Sequence, residues 1–257
     1  MGRPCVCPKL LLTCTIYSII ITYGINIAPY NIGGTIIMTV QRTLTPTKIG
    51  IYLIIFFAVW SIRELVIQPL FLTPLDDIAD AIIGQAIKLL VWTLPAVLLI
   101  KHYQHDMRIS LRDMFTTKPK WFSDAYILLA VFTPLFSSLL THGEVAVSPT
   151  FDPIRLIGAV VFVGITEEMV FRGFLLNTFL KRMELKRSVA LNEILFVLIH
   201  YPIWIYRGLD LTAILTNSIG VFFIGAFFSY SFIKTGNIIV PIALHMIWNL
   251  LVILFGA

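Results

Sequence analysis

Residues 164–174 read GITEEMVFRGF, and the three charges in that stretch sit inside an apolar run from Leu156 to Leu180. Charged side chains are costly in hydrocarbon, and a helix that keeps three of them usually uses them. At i,i+4 spacing Glu168 and Arg172 share one helix face and can pair. Glu167 is turned about 100° from Glu168, so one arginine cannot serve both carboxylates. Glu167 is then the freer carboxylate, suited to take a proton from water, with the Glu168–Arg172 pair positioning it. An ion pair that only locks helix packing would use the same residues.

Two further apolar stretches carry polar groups. EILFVLIHYP holds His200, and VPIALHMIWNL holds His245 with Asn249 one turn on. A lone histidine in such a segment is commonly a packed, hydrogen-bonded residue; depth sets these two apart. Glu167 lies about 17 Å from the outer end of its run, His200 about 18 Å and His245 about 14 Å from the ends of theirs, at the rise of a helix. In a hydrocarbon core about 30 Å thick all three fall near the middle. Pro202 and Pro241 each remove a helical hydrogen bond, and the carbonyls so freed would suit a wet pocket. Hydrolysis needs a base for water and donors for an oxyanion. Glu167 supplies the first, and His200, His245 and the Asn249 amide can supply the second. No cofactor is expected. Zinc on Glu167, His200 and His245 is the lesser alternative, because HMIWN lacks the second histidine of HExxH.

The elements that must position these groups are membrane helices. With 58% hydrophobic and 13% charged residues, and a mean hydropathy of +0.90, the chain is no ordinary soluble domain. Its apolar runs are about 20 residues long, enough to cross a bilayer, and they are continuous rather than alternating, which disfavours a β-barrel. The expected fold is all-α, a polytopic transmembrane bundle of about seven spans. They are placed at 49–67, 81–100, 121–140, 156–180, 189–206, 211–233 and 238–255, with Pro69 beyond the first and Pro95 kinking the second. Trp121 fits an interfacial anchor for the third. Residues 1–48 form an uncertain N-terminal apolar segment and linker: Leu10–Ile25 reads as a signal peptide, an extra span or an upstream extension, Asn26–Gly34 breaks any helix, and Met38 is an alternative start. Residues 49–120 are accessory spans and a loop, and 121–257 the catalytic core.

The net charge of +5 comes mostly from short loops and does not point to nucleic acid. Basic loops 42–48, 101–120 and 181–187 and the Lys234 turn fall on one side, and acidic loops 76–80 and 142–152 on the other. By the positive-inside rule the basic loops are cytoplasmic and the C-terminus is outside, in a multi-pass protein of the cell membrane. Cys5, Cys7 and Cys14 all precede the spans, which argues against a disulfide framework. Met107, Ile109, Leu111, Met114 and Phe115 suggest a short interfacial helix. Lys88 reads as a snorkelling or helix-contact lysine. Glu193, seven residues before His200, reads as a helix-end charge.

Three motifs carry a family resemblance. EEMVFR fits E-E-x-x-x-R through Glu167, Glu168 and Arg172; FVLIH fits F-x-x-x-H through Phe196 and His200; HMIWN fits H-x-x-x-N/D through His245 and Asn249. In order and spacing, over 121–255, the chain resembles the CAAX-protease and bacteriocin-processing family, also called Abi. The resemblance implies a glutamate-type intramembrane endopeptidase. Glu167 would activate water, Glu168 and Arg172 would order the site, and His200 would assist. His245 and Asn249 would form the oxyanion site, and Phe196 would line the substrate pocket or simply pack. The implied partners are a peptide or protein tail at the membrane, in some cases lipidated, and the bilayer itself. The alternative is a non-catalytic immunity or binding factor, or a proton-coupled transporter, on the same scaffold.

Overall fold

The structure is a computed structural model that describes residues 25–32, 35–75, 77–118, 128, 132–143 and 157–255. In hydrocarbon every backbone N–H and C=O must be bonded within the segment, so long apolar runs wind into helices. Four are long and apolar enough to cross a membrane: α1 (Pro46–Leu72), α2 (Ile78–His102), α6 (Leu185–Tyr206) and α7 (Leu211–Thr235). The others are α3 (Leu111–Thr116), α4 (Thr133–His142), α5 (157–182) and the shorter apolar α8 (Ile239–Phe255). The helical bundle is thus all-α and polytopic, as expected. The Leu10–Ile25 segment up to residue 24, the three cysteines, Trp121 with half of the third expected span, and the acidic loop with Glu144 and Asp152 lie outside the described residues.

The chain divides into two units, Met1–Leu53 and Ile54–Ala257. In the first, the segment expected only to break a helix forms an antiparallel hairpin. Strand β1 (Ile25–Ile32) pairs with β2 (Thr35–Arg42), from Ile25 opposite Arg42 to Ile32 opposite Thr35. The two intervening residues are Gly33 and Gly34, a pair favoured between hairpin strands, and β-branched residues are frequent on both sides.

The second unit exposes large apolar side chains and encloses a charged, hydrogen-bonded cluster within its apolar interior. Ile54, Leu90, Leu211, Ile219 and Phe223 are exposed, while Glu168, Arg172, Asn192, Glu193 and Ser229 are fully buried. Water would drive the opposite distribution; lipid permits this one. Several helices contain wide π turns, at Arg63–Leu72, Leu89–Thr93, Ile157–Phe162 and Met169–Leu176. Proline explains the first two: α1 runs through Pro69 instead of ending before it, and α2 widens just ahead of Pro95, because each ring lacks an N–H and crowds the preceding turn.

The 103–117 segment is docked on protein: the Asn177 side chain bonds both the N–H and the C=O of Ile109, Ile238 N–H donates to Met114 O, and Met107 and Met114 are buried. Of its five apolar residues only Phe115 is exposed, so most of its apolar surface is turned to protein. Pro241 frees no carbonyl near the middle of α8. It stands in the first turn, and the carbonyl four residues back, Asn237 O, accepts from the Thr235 hydroxyl.

Candidate active site

Helix α5 brings Glu167, Glu168 and Arg172 inward in its Val163–Glu168 turn and the π segment that follows. Glycine lets the neighbours close on it. A Cβ at Gly164 would stand 2.9 Å from Met246 Cγ and 3.4 Å from Ile242 O, so only glycine admits α8 at this distance.

Arg172 is fully buried and makes four hydrogen bonds. Nη1 donates to Glu168 Oε1 at 3.0 Å, Nε to Ser229 Oγ at 3.2 Å, and Nη2 to Glu193 Oε2 at 2.8 Å and Gly225 O at 2.6 Å. The i,i+4 pair therefore forms, and Glu193 is its second carboxylate. Glu193 is not a helix-end charge: α6 begins at Leu185, four residues earlier than expected, which sets Glu193 two turns inside. There it also accepts from Asn192 Nδ2 and Ser229 Oγ. Paired and hydrogen-bonded burial of this kind is what a charge in the interior requires.

Glu168 Oε1 is shared, since His245 Nδ1 lies 2.8 Å from it. His245 is held in plane by Phe228, stacked at 4.9 Å, and turns Nε2 toward Glu167 Oε2, 3.9 Å away. Glu167 is 5% exposed, and among the described residues nothing hydrogen-bonds its Oε2. The arrangement leaves one carboxylate oxygen buried, unbonded and beside an imidazole nitrogen.

His200 sits where α6 breaks, between Leu198 and Tyr201. Pro202 cannot donate to the preceding turn, and the opening is stabilised by Trp60 Nε1–H, which donates to Ile199 O at 3.1 Å. His200 Nδ1–H donates to Phe196 O at 2.8 Å, so in the neutral ring Nε2 carries the lone pair. Its titratable neighbours are Glu167, Lys88 and His245. Phe196 is buried between these groups, 5.1 Å from the His200 ring and 6.2 Å from that of His245, with the Arg172 guanidinium 4.6 Å over its face. Asn249 is tied elsewhere: its Nδ2 donates to Ala159 O at 2.9 Å, which uses one of its two amide hydrogens.

Lys88 does not snorkel. Its Nζ lies 3.8 Å from Glu167 Oε1, between Trp60 and Trp92. Lys88 and Glu193 are thus site residues that the motif reading passed over. The signal for Lys88 was depth, since it lies about 20 Å along its helix from the basic loop that follows. The zinc alternative needs Glu167, His200 and His245 around one ion. Among the described residues no group of three or more His, Cys, Asp or Glu side chains is arranged to hold a metal.

Fold and site together define an integral membrane protein built around a buried acid–imidazole centre. A family model described as type II CAAX prenyl endopeptidase Rce1-like matches residues 149–251, which contain all three motifs. Residues 149–251 are thus similar to the Rce1-like CAAX-protease family, and the match covers less than half of the chain. No curated protein and no solved structure matches the chain.

Proposed function

We propose that the protein is an intramembrane endopeptidase in which Glu167 activates water against a peptide bond of a membrane-associated peptide or C-terminal tail. The supporting observation is the unbonded Glu167 Oε2, buried and 3.9 Å from His245 Nε2. Glu167 takes a proton from water as the oxygen adds to the scissile carbonyl carbon. When the His245 ring carries both protons, Glu168 binds Nδ1–H and Nε2–H is free to meet the oxyanion. The second amide hydrogen of Asn249 is the other donor. The tetrahedral centre then collapses as its C–N bond breaks, Glu167 returns its proton to the departing amine, and a carboxylic acid and an amine leave. His200 Nε2, as an acceptor, orients the water. Phe196 forms the wall between the two imidazoles. Every step uses side chains alone.

The substrate class follows from the family description: a prenylated protein tail, presented from the bilayer. The basic loops face the cytoplasm in this reading, where such tails are made. The test is cleavage of a farnesylated CAAX-type peptide by purified protein in liposomes. Glu167→Gln is expected to lower kcat by at least about 10²-fold, the scale of a lost general base, while the protein stays folded. Full activity of that variant would remove Glu167 from the chemistry.

A further inference from the structure

Lys88 belongs to α2, outside the residues that carry the family match. Its Nζ is 3.8 Å from Glu167 Oε1, and its side chain is only 13% exposed. Two rings hold it there. Nζ lies 5.2 Å from the Trp60 ring and 5.4 Å from that of Trp92, within reach of cation–π attraction. Both rings are themselves fixed: Trp60 by its bond to Ile199 O, and Trp92 by full burial against Phe56 and Phe171.

Among the described residues the other buried cations are taken. Arg172 serves Glu168, Glu193, Gly225 and Ser229, and Arg63 Nη1 is 2.7 Å from Glu64 Oε1. Among the described residues, Lys88 is the permanent cation within ion-pair distance of Glu167. It faces one oxygen, Oε1, while the other faces His245. A carboxylate held at one oxygen has lost its rotational freedom, so its second oxygen is aimed.

We propose that Lys88 is a positioning residue for hydrolysis: its ammonium group anchors Glu167 through Oε1 and thereby reserves Oε2 for the water. The inference rests on the reading of Glu167 as the base. It extends the working site to α2 and makes the Trp60–Trp92 pair the support of that anchor. Lys88 also feels Glu64 and Arg63, the other charged groups facing it, so a role in balancing buried charge is the competing account.

Two measurements separate them. The first needs no substrate. Wild-type protein in liposomes is treated with a membrane-permeant carbodiimide, which joins a neighbouring amine and carboxyl with loss of one water. Peptide mapping is expected to show Lys88 linked to Glu167. Labelling of other carboxyls with no such link would overturn the proposal. The second is steady-state cleavage of the farnesylated peptide. Lys88→Met and Lys88→Gln are expected to lose about 10²-fold in kcat, the scale of a misplaced group, with KM within twofold and the unfolding temperature in detergent retained. Lys88→Arg restores most of kcat. Wild-type kcat in both neutral variants, or a loss of kcat that only tracks unfolding, overturns the proposal. If neither neutral variant folds, the coupling result decides. If wild-type protein leaves the peptide uncut, the peptidase reading itself fails and takes the Lys88 proposal with it.

Discussion

Arg172 Nη2 on α5 and Glu193 Oε2 on α6 meet at 2.8 Å with neither side chain exposed. Removing one member of such a pair strands the other in a medium that cannot solvate it. Glu193→Leu is therefore expected to cost about 3–5 kcal/mol of stability, and Glu193→Gln less, because an amide oxygen can still accept from Arg172. Thermal unfolding in detergent measures both. An unfolding temperature for Glu193→Leu equal to that of wild type would mean that the Glu168 contact alone satisfies the guanidinium.

Gly225 is the floor beneath that pair. A Cβ at this position would collide with Glu193 Oε2 and stand 2.9 Å from Phe196 Cδ1 and 3.1 Å from Arg172 Nη2. Gly225→Ala should destabilise by about 1–3 kcal/mol, the range for overpacking. Gly220→Ala on the same helix is the control, since nothing lies within 4 Å of the added carbon. There the gain in helix propensity, about 0.5–1 kcal/mol, is expected to leave stability equal or higher. Equal behaviour of the two variants would contradict the packing described.

Asn249 separates an anchor from an oxyanion donor. Its bond to Ala159 O spends one amide hydrogen, and the proposed mechanism assigns the other to the tetrahedral intermediate. Asn249→Ala is expected to lower kcat by about 10²–10³-fold, as loss of an oxyanion donor does elsewhere. If the residue only ties α8 to α5, the variant instead loses about 1 kcal/mol of stability and keeps its kcat. Turnover of the farnesylated peptide, read beside thermal unfolding, distinguishes the outcomes.

Charges in apolar runs are conspicuous, and this made much of the centre legible in sequence. Glu168 and Arg172 pair at the i,i+4 spacing that announces them, and His245 closes on both carboxylates from a different helix. The helix boundaries at 211 and 255 were equally plain. What stayed hidden depends on partners far away in the chain. Lys88 meets a carboxylate 79 residues on, and its depth in the helix argues against snorkelling without naming that partner. Glu193 reads as an edge charge if α6 starts at Val189, and the actual start at Leu185 moves it into the interior. Gly225 and Ser229 matter through a carbonyl, a hydroxyl and an absent side chain, none of which leaves a motif. The hairpin at 25–42 is hard to see in sequence because a Gly-Gly pair interrupts a helix as readily as it separates two strands.

The four bonds of Arg172 bear on how the protein is made. Three of them join α5 to α6 and α7, which leave the ribosome later. When α5 first enters the bilayer, Glu168 is the one partner of Arg172 already synthesised, and Glu167 and Lys88 have each other only if α2 is waiting nearby. Biogenesis therefore has to shelter a three-charge helix, beside the insertion machinery or against α2, until α7 arrives to complete the cage.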